Sequence, residues 1–259
     1  MEYLWICITA LLVSLFTLLS GFGLSTVLTP VFALFFPLPV AVASVAIIHL
    51  ANNLFKGVIM GSYAHKETVI RFGIPAAFFS ALGAYLLSFV SQVAPLTSYC
   101  LLERVFHVSW IGLLVGGVIV ISSLFELIPT WSHLSFSRKY LPLGGVLSGF
   151  FGGVSGNQGM LRSAFLLKAG LTKQQFIGTG IFCSLLVDAT RLLVYGWGPY
   201  SFAGHLQGTY GLIIAASLSA FVGAYLGAKY SEKVSFKVLQ ILIGAMLFVL
   251  GFGIAIGVI

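Results

Sequence analysis

A short polar segment interrupts an apolar stretch of the chain and carries the groups best suited to bind an anion. It spans Ser155 to Ser163 and reads SGNQGMLRS. A helix that restarts near Gly159 would carry Arg162 in its first turn, where free backbone N–H groups and the positive end of the helix dipole point to the same place. Amide donors together with a guanidinium favour an anion site. Alternatively, Arg162 caps carbonyl groups of a neighbouring broken helix. We assign substrate contacts to Gly156, Asn157, Gln158, Gly159, Arg162 and Ser163.

A second glycine-rich segment, near the N-terminus, supplies donors without charge. Gly21, Gly23 and Ser25 would present backbone amides and a hydroxyl group, and we assign them to the same substrate site. The glycines alone are a weak signal, because glycine is also common where membrane helices pack closely.

Four polar residues form one stripe on an otherwise apolar helix. His49, Asn52, Asn53 and Lys56 follow the spacing i, i+3, i+4 and i+7, which places them on one helix face. Ionisable groups within a membrane are costly and usually face a bundle interior or a cavity, so we assign these residues to a transport pathway. Lys56 has no acid on its own face, but it could instead snorkel toward the membrane surface. His49 is either a proton carrier or a packed, hydrogen-bonded histidine.

A stripe with the same spacing recurs later in the chain and contains Ser184, Val187, Asp188 and Arg191. We assign Asp188 and Arg191 to the pathway as well. The alternative is structural, because an acid and a base at i and i+3 can pair with each other and leave no net charge for a ligand.

The composition places these stripes in a membrane. The chain is 59% hydrophobic and only 7% charged, with a mean hydropathy of +1.08, whereas a soluble domain carries about 25% charged residues. Its apolar runs reach the roughly 20 residues that a membrane-spanning helix needs. The net charge of +7 is then explained by basic loops that fix orientation, so no nucleic-acid partner is expected. The scattered cysteines, Cys7, Cys100 and Cys183, and the lack of catalytic motifs predict no metal, no cofactor and no enzymatic activity.

An internal repeat divides this single transmembrane domain, 1–259, into halves of about 1–130 and 135–259. An offset of 135 positions aligns Asn53 with Asp188 and Lys56 with Arg191. Each half contains four apolar units, and the first unit of each half is long and broken by glycines, which disfavour continuous helix. The units are 3–36, 40–63, 70–92 and 104–126, followed by 140–170, 175–197, 207–229 and 235–258.

The basic loops distinguish between two membrane topologies. If each broken unit is a re-entrant hairpin, the loop lysines and arginines fall on one side and only Arg104 lies opposite, as the positive-inside rule prefers. The prediction is an all-α membrane protein with about six crossings and two re-entrant hairpins. Three crossings per half make the halves inverted, a recurrent design of secondary transporters. The basic loops would be cytoplasmic in the cell membrane, with both termini on the other side.

Essentially the whole chain resembles the TauE/SafE sulfite exporter family. The resemblance rests on paired glycine-rich segments, each followed by a two-helix unit, and above all on 144–153 and 155–159, which read GGVLSGFFGG and SGNQG. It implies export of sulfite or of related anions such as organosulfonates. Many members carry a plainer glycine cluster where this chain has Asn157, Gln158 and then Arg162, a departure that could tune the anion selected.

The resulting hypothesis is a secondary transporter that moves a small oxyanion across a lipid bilayer. An anion channel is the nearest alternative, and a non-transporting membrane scaffold or assembly protein is an alternative of another class. A scaffold would have no reason to hold Arg162 and Lys56 away from acids. The sequence leaves open the exact anion, the coupling ion, the direction of transport and the oligomeric state.

Overall fold

The chain is a helical membrane protein in the computed structural model, which describes residues 1–20, 23–128, 130, 134–198, 201–230 and 236–259. Helices form most of the described part, and a single β-hairpin joins two of them. The elements are α1 Glu2–Ser20, α2 Leu24–Ala33, α3 Leu38–Met60, α4 Lys66–Val90, β1 Thr97–Leu101, β2 Arg104–Val108, α5 Trp110–Leu127, α6 Leu141–Ser155, α7 Gly159–Leu166, α8 Lys173–Trp197, α9 Tyr210–Tyr230 and α10 Phe236–Ala255.

Five of the described helices, α3, α4, α5, α8 and α9, are long and apolar enough to cross a membrane. The predicted sixth crossing corresponds to α10, whose described apolar part, Ile241–Ala255, is shorter. Large apolar side chains such as Val58, Phe78 and Leu218 lie on the outer surface, whereas the polar stripes are buried. An apolar surface around a polar interior suits a protein that is surrounded by lipid rather than by water.

Two breaks interrupt the helices where the glycines predict them. The first lies between α1 and α2, and Gly23 precedes α2 in an extended conformation. The second lies between α6 and α7, where Gly156 ends α6 with a φ of 81°. Glycine reaches this left-handed region without the steric cost that a Cβ brings. Helix α7 begins at Gly159, as the glycine-rich segment predicts.

Close helix pairs hold the bundle together, and small residues allow them. A Cβ at Gly149 or Gly153 of α6 would overlap the backbone of Ala76 or Ser80 of α4. Helices α1 and α9 pack equally closely, because a Cβ at Gly223 of α9 would overlap the backbone of Leu11 of α1. Helices α3 and α8 form a third pair, and α5 and α10 a fourth. Backbones can approach this closely only where small residues line the interface.

The loops collect at two opposite ends of the bundle. At the end that we call the hairpin end, the β-hairpin lies on the C-terminus, where Tyr99 donates a hydrogen bond to the carbonyl of Ile256 at 3.0 Å. The turn between α2 and α3, 34–37, lies at the same end, since its residues and His107 line one cavity.

The other end carries most of the basic loop residues, and we call it the basic end. Here the amide of His65 donates to Thr179 Oγ1 at 3.0 Å, which joins the end of α3 to the start of α8. Arg138 Nη2 lies 2.5 Å from Glu67 Oε2. The amide of Phe136 donates to the carbonyl of Ala164, so the end of α7 lies here too.

One predicted boundary is wrong. The fourth apolar unit was expected to be helical from residue 104, but 104–108 forms the second strand of the hairpin. Its residues, RVFHV, are mostly β-branched or aromatic, which favours a strand. The helix α5 instead begins after Ser109, whose Oγ accepts a hydrogen bond from the amide of Gly112 at 3.0 Å and caps the helix.

Candidate functional site

A fully buried carboxylate, Asp188, joins the two polar stripes. His49 Nδ1 lies 2.6 Å from Asp188 Oδ2, and Asn53 Nδ2 donates to the same oxygen at 3.1 Å. His49 and Asn53 are on α3, while Asp188 is on α8, so the contact spans the interface between these helices. The stripes predicted separately from spacing therefore meet in the interior.

The second oxygen of Asp188 is occupied by Arg191 and Gln158. Arg191 Nε donates to Oδ1 at 3.1 Å and Nη2 lies 2.9 Å away, with both side chains fully buried. Gln158 Nε2 donates to the same oxygen at 3.4 Å. The i, i+3 pair that the sequence offered as an alternative is present, so the charge of Arg191 is compensated by Asp188.

Arg191 also ties this network to the break between α6 and α7. Its Nη1 donates to the carbonyl of Gly152 at 3.4 Å, and a Cβ at Gly156 would lie 2.7 Å from the same nitrogen. Tyr195, one turn further along α8, donates to the carbonyl of Gly153. Sequence reasoning missed Tyr195, although it extends the stripe of Asp188 and Arg191 by one further turn.

Several polar atoms at the breaks are buried without a hydrogen-bond partner in the part of the chain that the structure describes. Both amide atoms of Asn157 are in this state, and the residue is only 3% exposed. The hydroxyl groups of Ser25 and Thr29, one turn apart on α2, are also unpaired. Buried polar groups normally have a partner, so these atoms are available to a ligand or to water.

The two breaks touch at these unpaired atoms. A Cβ at Gly156 would overlap Ser25 Oγ, which brings the start of α2 against the end of α6. Thr29 was not among the predicted residues, although its spacing from Ser25 places it on the same helix face. Ser148 was not among the predicted residues either. Its Oγ donates a hydrogen bond to the carbonyl of Gln158, in the break, at 3.0 Å.

Arg162 lies on α7 and faces α8. It is 8% exposed, and its Nη1 donates to Ser184 Oγ. No ion pair joins it to an acid within the described ranges. Within the described residues, the side-chain hydrogen bond of Arg162 goes to a hydroxyl group rather than to one of the carbonyl groups that the alternative requires.

Lys56 is the second buried cation without an acid. It is 6% exposed, and no hydrogen bond or ion pair links it to any residue that the structure describes. The charged group that acts on it is Arg162. A buried cation without a described acid is an arrangement that a bound anion would stabilise.

Other predicted residues lie away from the Asp188 network. Asn52 faces α1, where its Oδ1 accepts a hydrogen bond from Ser14 Oγ at 3.3 Å. Ser163 Oγ donates to the carbonyl of Gly159 in its own helix. Gly21 lies outside the described residues, and Gly23 precedes α2 at the first break.

The described residues contain no group of three or more histidine, cysteine or acidic side chains that could hold a metal ion. The cysteines Cys7, Cys100 and Cys183 are free thiols. Beside the carboxylate of Asp188 and the ring of His49, the described interior offers cations, amides and hydroxyl groups, which are the groups that bind oxyanions.

One of three comparisons with known proteins gives a match. A protein-family model described as Sulfite exporter TauE/SafE matches residues 6–254. Searches of curated proteins and of solved structures found no match. The matched residues include both breaks and both polar stripes, and the resemblance drawn from the glycine-rich segments is confirmed. The chain belongs to the TauE/SafE family of sulfite exporters.

Proposed function

We propose that this protein is a secondary transporter that exports a small sulfur-containing oxyanion, sulfite or an organosulfonate. The observation that carries the proposal is the pair of buried cations, Arg162 and Lys56, with no acid paired to either in the described part of the chain. Removing a cation from water is costly unless something compensates its charge. An anion that visits the site would supply that compensation, and the family to which the chain belongs is one of exporters.

The break between α6 and α7 would bind the oxyanion oxygens. Asn157 and Ser25 offer unpaired donors there, and the amides at the start of α7 add the positive end of a helix dipole. Arg162 has a planar fork that can hold two oxygens at once. Its remaining donors, beyond the one given to Ser184, are free for this task among the contacts described.

The two halves would be inverted repeats, and the helix contacts support this. Exchanging the halves turns the α1–α9 pair into the α6–α4 pair, and both pairs are close. The α3–α8 and α5–α10 pairs each map onto themselves. Residues on a two-fold axis contact their own equivalents, and Asn53 and Asp188, which the offset aligns, are hydrogen-bonded at 3.1 Å. The repeats would cover about 1–130 and 135–259.

Both broken units would be re-entrant hairpins. The end of α2 lies at the hairpin end. The start of α1 would lie there too, because Tyr3 approaches Gly211 at the start of α9. The start of α6 and the end of α7 meet at the basic end. With the basic end in the cytoplasm, as the positive-inside rule prefers, both termini lie on the opposite side of the cell membrane.

The substrate pathway would run between Lys56 and Arg191. Lys56 lies one turn before α3 ends at the basic end, whereas Arg191 lies near the other end of the antiparallel helix α8. The two residues are equivalent under the 135-residue offset. They would therefore flank the breaks from opposite sides, as expected for two access routes to one central site.

Counterflow in proteoliposomes tests the proposal. Purified protein is reconstituted into vesicles loaded with unlabelled sulfite or methanesulfonate, and uptake of the labelled anion is followed. A carrier gives transient accumulation of label that depends on the internal anion. Uptake that follows only the membrane potential would indicate a channel, and no uptake of any anion would indicate a scaffold.

A further inference from the structure

The network around His49 has a property that anion binding alone does not require. Asp188 receives contacts from His49, Asn53, Gln158 and Arg191 on its two oxygens. A carboxylate with this many donors is held in its ionised form, which can only accept hydrogen bonds. Arg191 already compensates the charge of Asp188. Within this network, His49 is then the group that can gain and lose a proton.

The geometry also fixes which nitrogen of His49 exchanges the proton. Nδ1 lies 2.6 Å from the ionised carboxylate of Asp188, so Nδ1 must carry a hydrogen in both protonation states. The lone pair of the neutral ring is therefore on Nε2, which lies 3.5 Å from Asn53 Nδ2, while the same amide nitrogen lies 3.2 Å from Nδ1. A proton gained by the neutral ring would bind to Nε2 and make the ring a cation.

The charged surroundings of His49 link this proton to the anion. The charged groups that act on His49 are Asp188, Arg191 and Lys56, and Arg162 acts in turn on Lys56. Helices α2 and α9, which also pack against α3, add no charged group to this set in the described ranges. These four groups are three cations and one carboxylate, so together they carry a net charge of two positive units, and a proton on His49 would raise it to three.

We propose that His49 binds a transported proton at Nε2, so that the protein moves its oxyanion together with a proton. The inference rests on the anion transport proposed above. Each ligand lowers the electrostatic cost of binding the other, and by linkage the effect is reciprocal. Coupling between two sites is commonly about 5- to 150-fold in affinity. The net direction of movement then depends on the sum of the proton and anion gradients.

Calorimetry on the full-length purified protein tests the linkage, with methanesulfonate as the probe because its charge does not change near neutral pH. Binding measured in buffers of different ionisation enthalpy gives the protons taken up per anion. We expect net proton uptake and an affinity that rises about tenfold between pH 8 and pH 6. His49→Gln keeps an N–H donor for Asp188 but has no titratable nitrogen, so it should bind the anion without proton uptake. The matched control is His107→Gln on the exposed hairpin, which should behave as the wild type.

Transport provides a second readout. With the membrane potential clamped, an imposed pH gradient should drive wild-type vesicles to accumulate methanesulfonate, whereas His49→Gln should exchange anion without accumulating it. Wild-type binding without proton uptake would overturn the coupling and leave anion transport intact. Failure of the wild type to bind or exchange either methanesulfonate or sulfite would overturn the proposed function itself. If His49→Gln does not accumulate in the membrane, the wild-type proton count alone decides.

Discussion

Asn53 Nδ2 donates a hydrogen bond to Asp188 Oδ2 at 3.1 Å, across a separation of 135 positions in the chain. The same number is the offset of the proposed repeat. In that repeat one half carries an amide where the other carries a carboxylate, and the two side chains meet between α3 and α8. The difference between them gives Arg191 a counter-ion, while Lys56 has none in the described ranges.

The first prediction concerns the Asp188–Arg191 pair. Asp188→Asn leaves a buried guanidinium without its carboxylate, and breaking a buried pair on one side costs about 3–5 kcal/mol. The double variant Asp188→Asn with Arg191→Gln removes both charges and should lose less stability than the single variant. Thermal unfolding of the purified proteins in detergent measures both. Equal loss in the single and double variants would show that the pair is not the source of the effect.

The exposed pair Glu67–Arg138 provides the control for this experiment. Its side chains are about half exposed, and surface ion pairs contribute roughly 0–1 kcal/mol. Glu67→Gln should therefore change the unfolding temperature little. A loss as large as that of Asp188→Asn would indicate a general sensitivity to lost acids rather than a buried pair.

The second prediction concerns the contact between the two breaks. Gly156 has a φ of 81°, and a Cβ there would overlap Ser25 Oγ. Gly156→Ala should abolish transport, because the start of α2 must move away from the end of α6. Gly170→Ala is the matched control, since Gly170 also has a positive φ of 76° but meets nothing within 4 Å.

Both alanine variants carry a similar backbone strain of about 1 kcal/mol, and only Gly156→Ala crowds the site. Counterflow in proteoliposomes gives the comparison. If Gly170→Ala loses transport to the same degree, backbone strain rather than the contact with Ser25 is responsible.

The features predictable from the sequence are those that depend on local spacing. The restart of helix at Gly159 and the pairing of Asp188 with Arg191 follow from glycine conformation and from the 3.6-residue period. The contact of His49 with Asp188 joins residues 139 positions apart, and spacing within one helix cannot supply it. Residue 104 was assigned to a helix because hydropathy does not distinguish an apolar strand from an apolar helix over so few residues.

The third prediction concerns sidedness. Cys100 is exposed on β1 at the hairpin end, whereas Lys139 is exposed in a basic loop. In a variant with Cys7 and Cys183 replaced by serine, a membrane-impermeant thiol reagent should label Cys100 in intact cells. In the same background, with Cys100 also replaced, Lys139→Cys should be labelled only after lysis. The reverse pattern would place the basic loops outside and refute the topology.

The last prediction concerns Arg162, the buried cation at the start of α7. Its Nη1 bonds to Ser184 and no described acid pairs with it, so its charge is available to the substrate. A hydrogen bond to a charged group contributes about 1.5–3 kcal/mol, which corresponds to roughly 10- to 100-fold in affinity. Arg162→Ala should abolish counterflow while the protein still inserts and purifies as one species. Arg162→Lys keeps the charge but loses the planar fork, so it should transport weakly with a raised half-saturation. The exposed Arg138→Ala serves as the control and should transport normally. If Arg162→Ala fails to accumulate, or transports as well as the wild type, the role of Arg162 is structural and the anion site lies along Lys56.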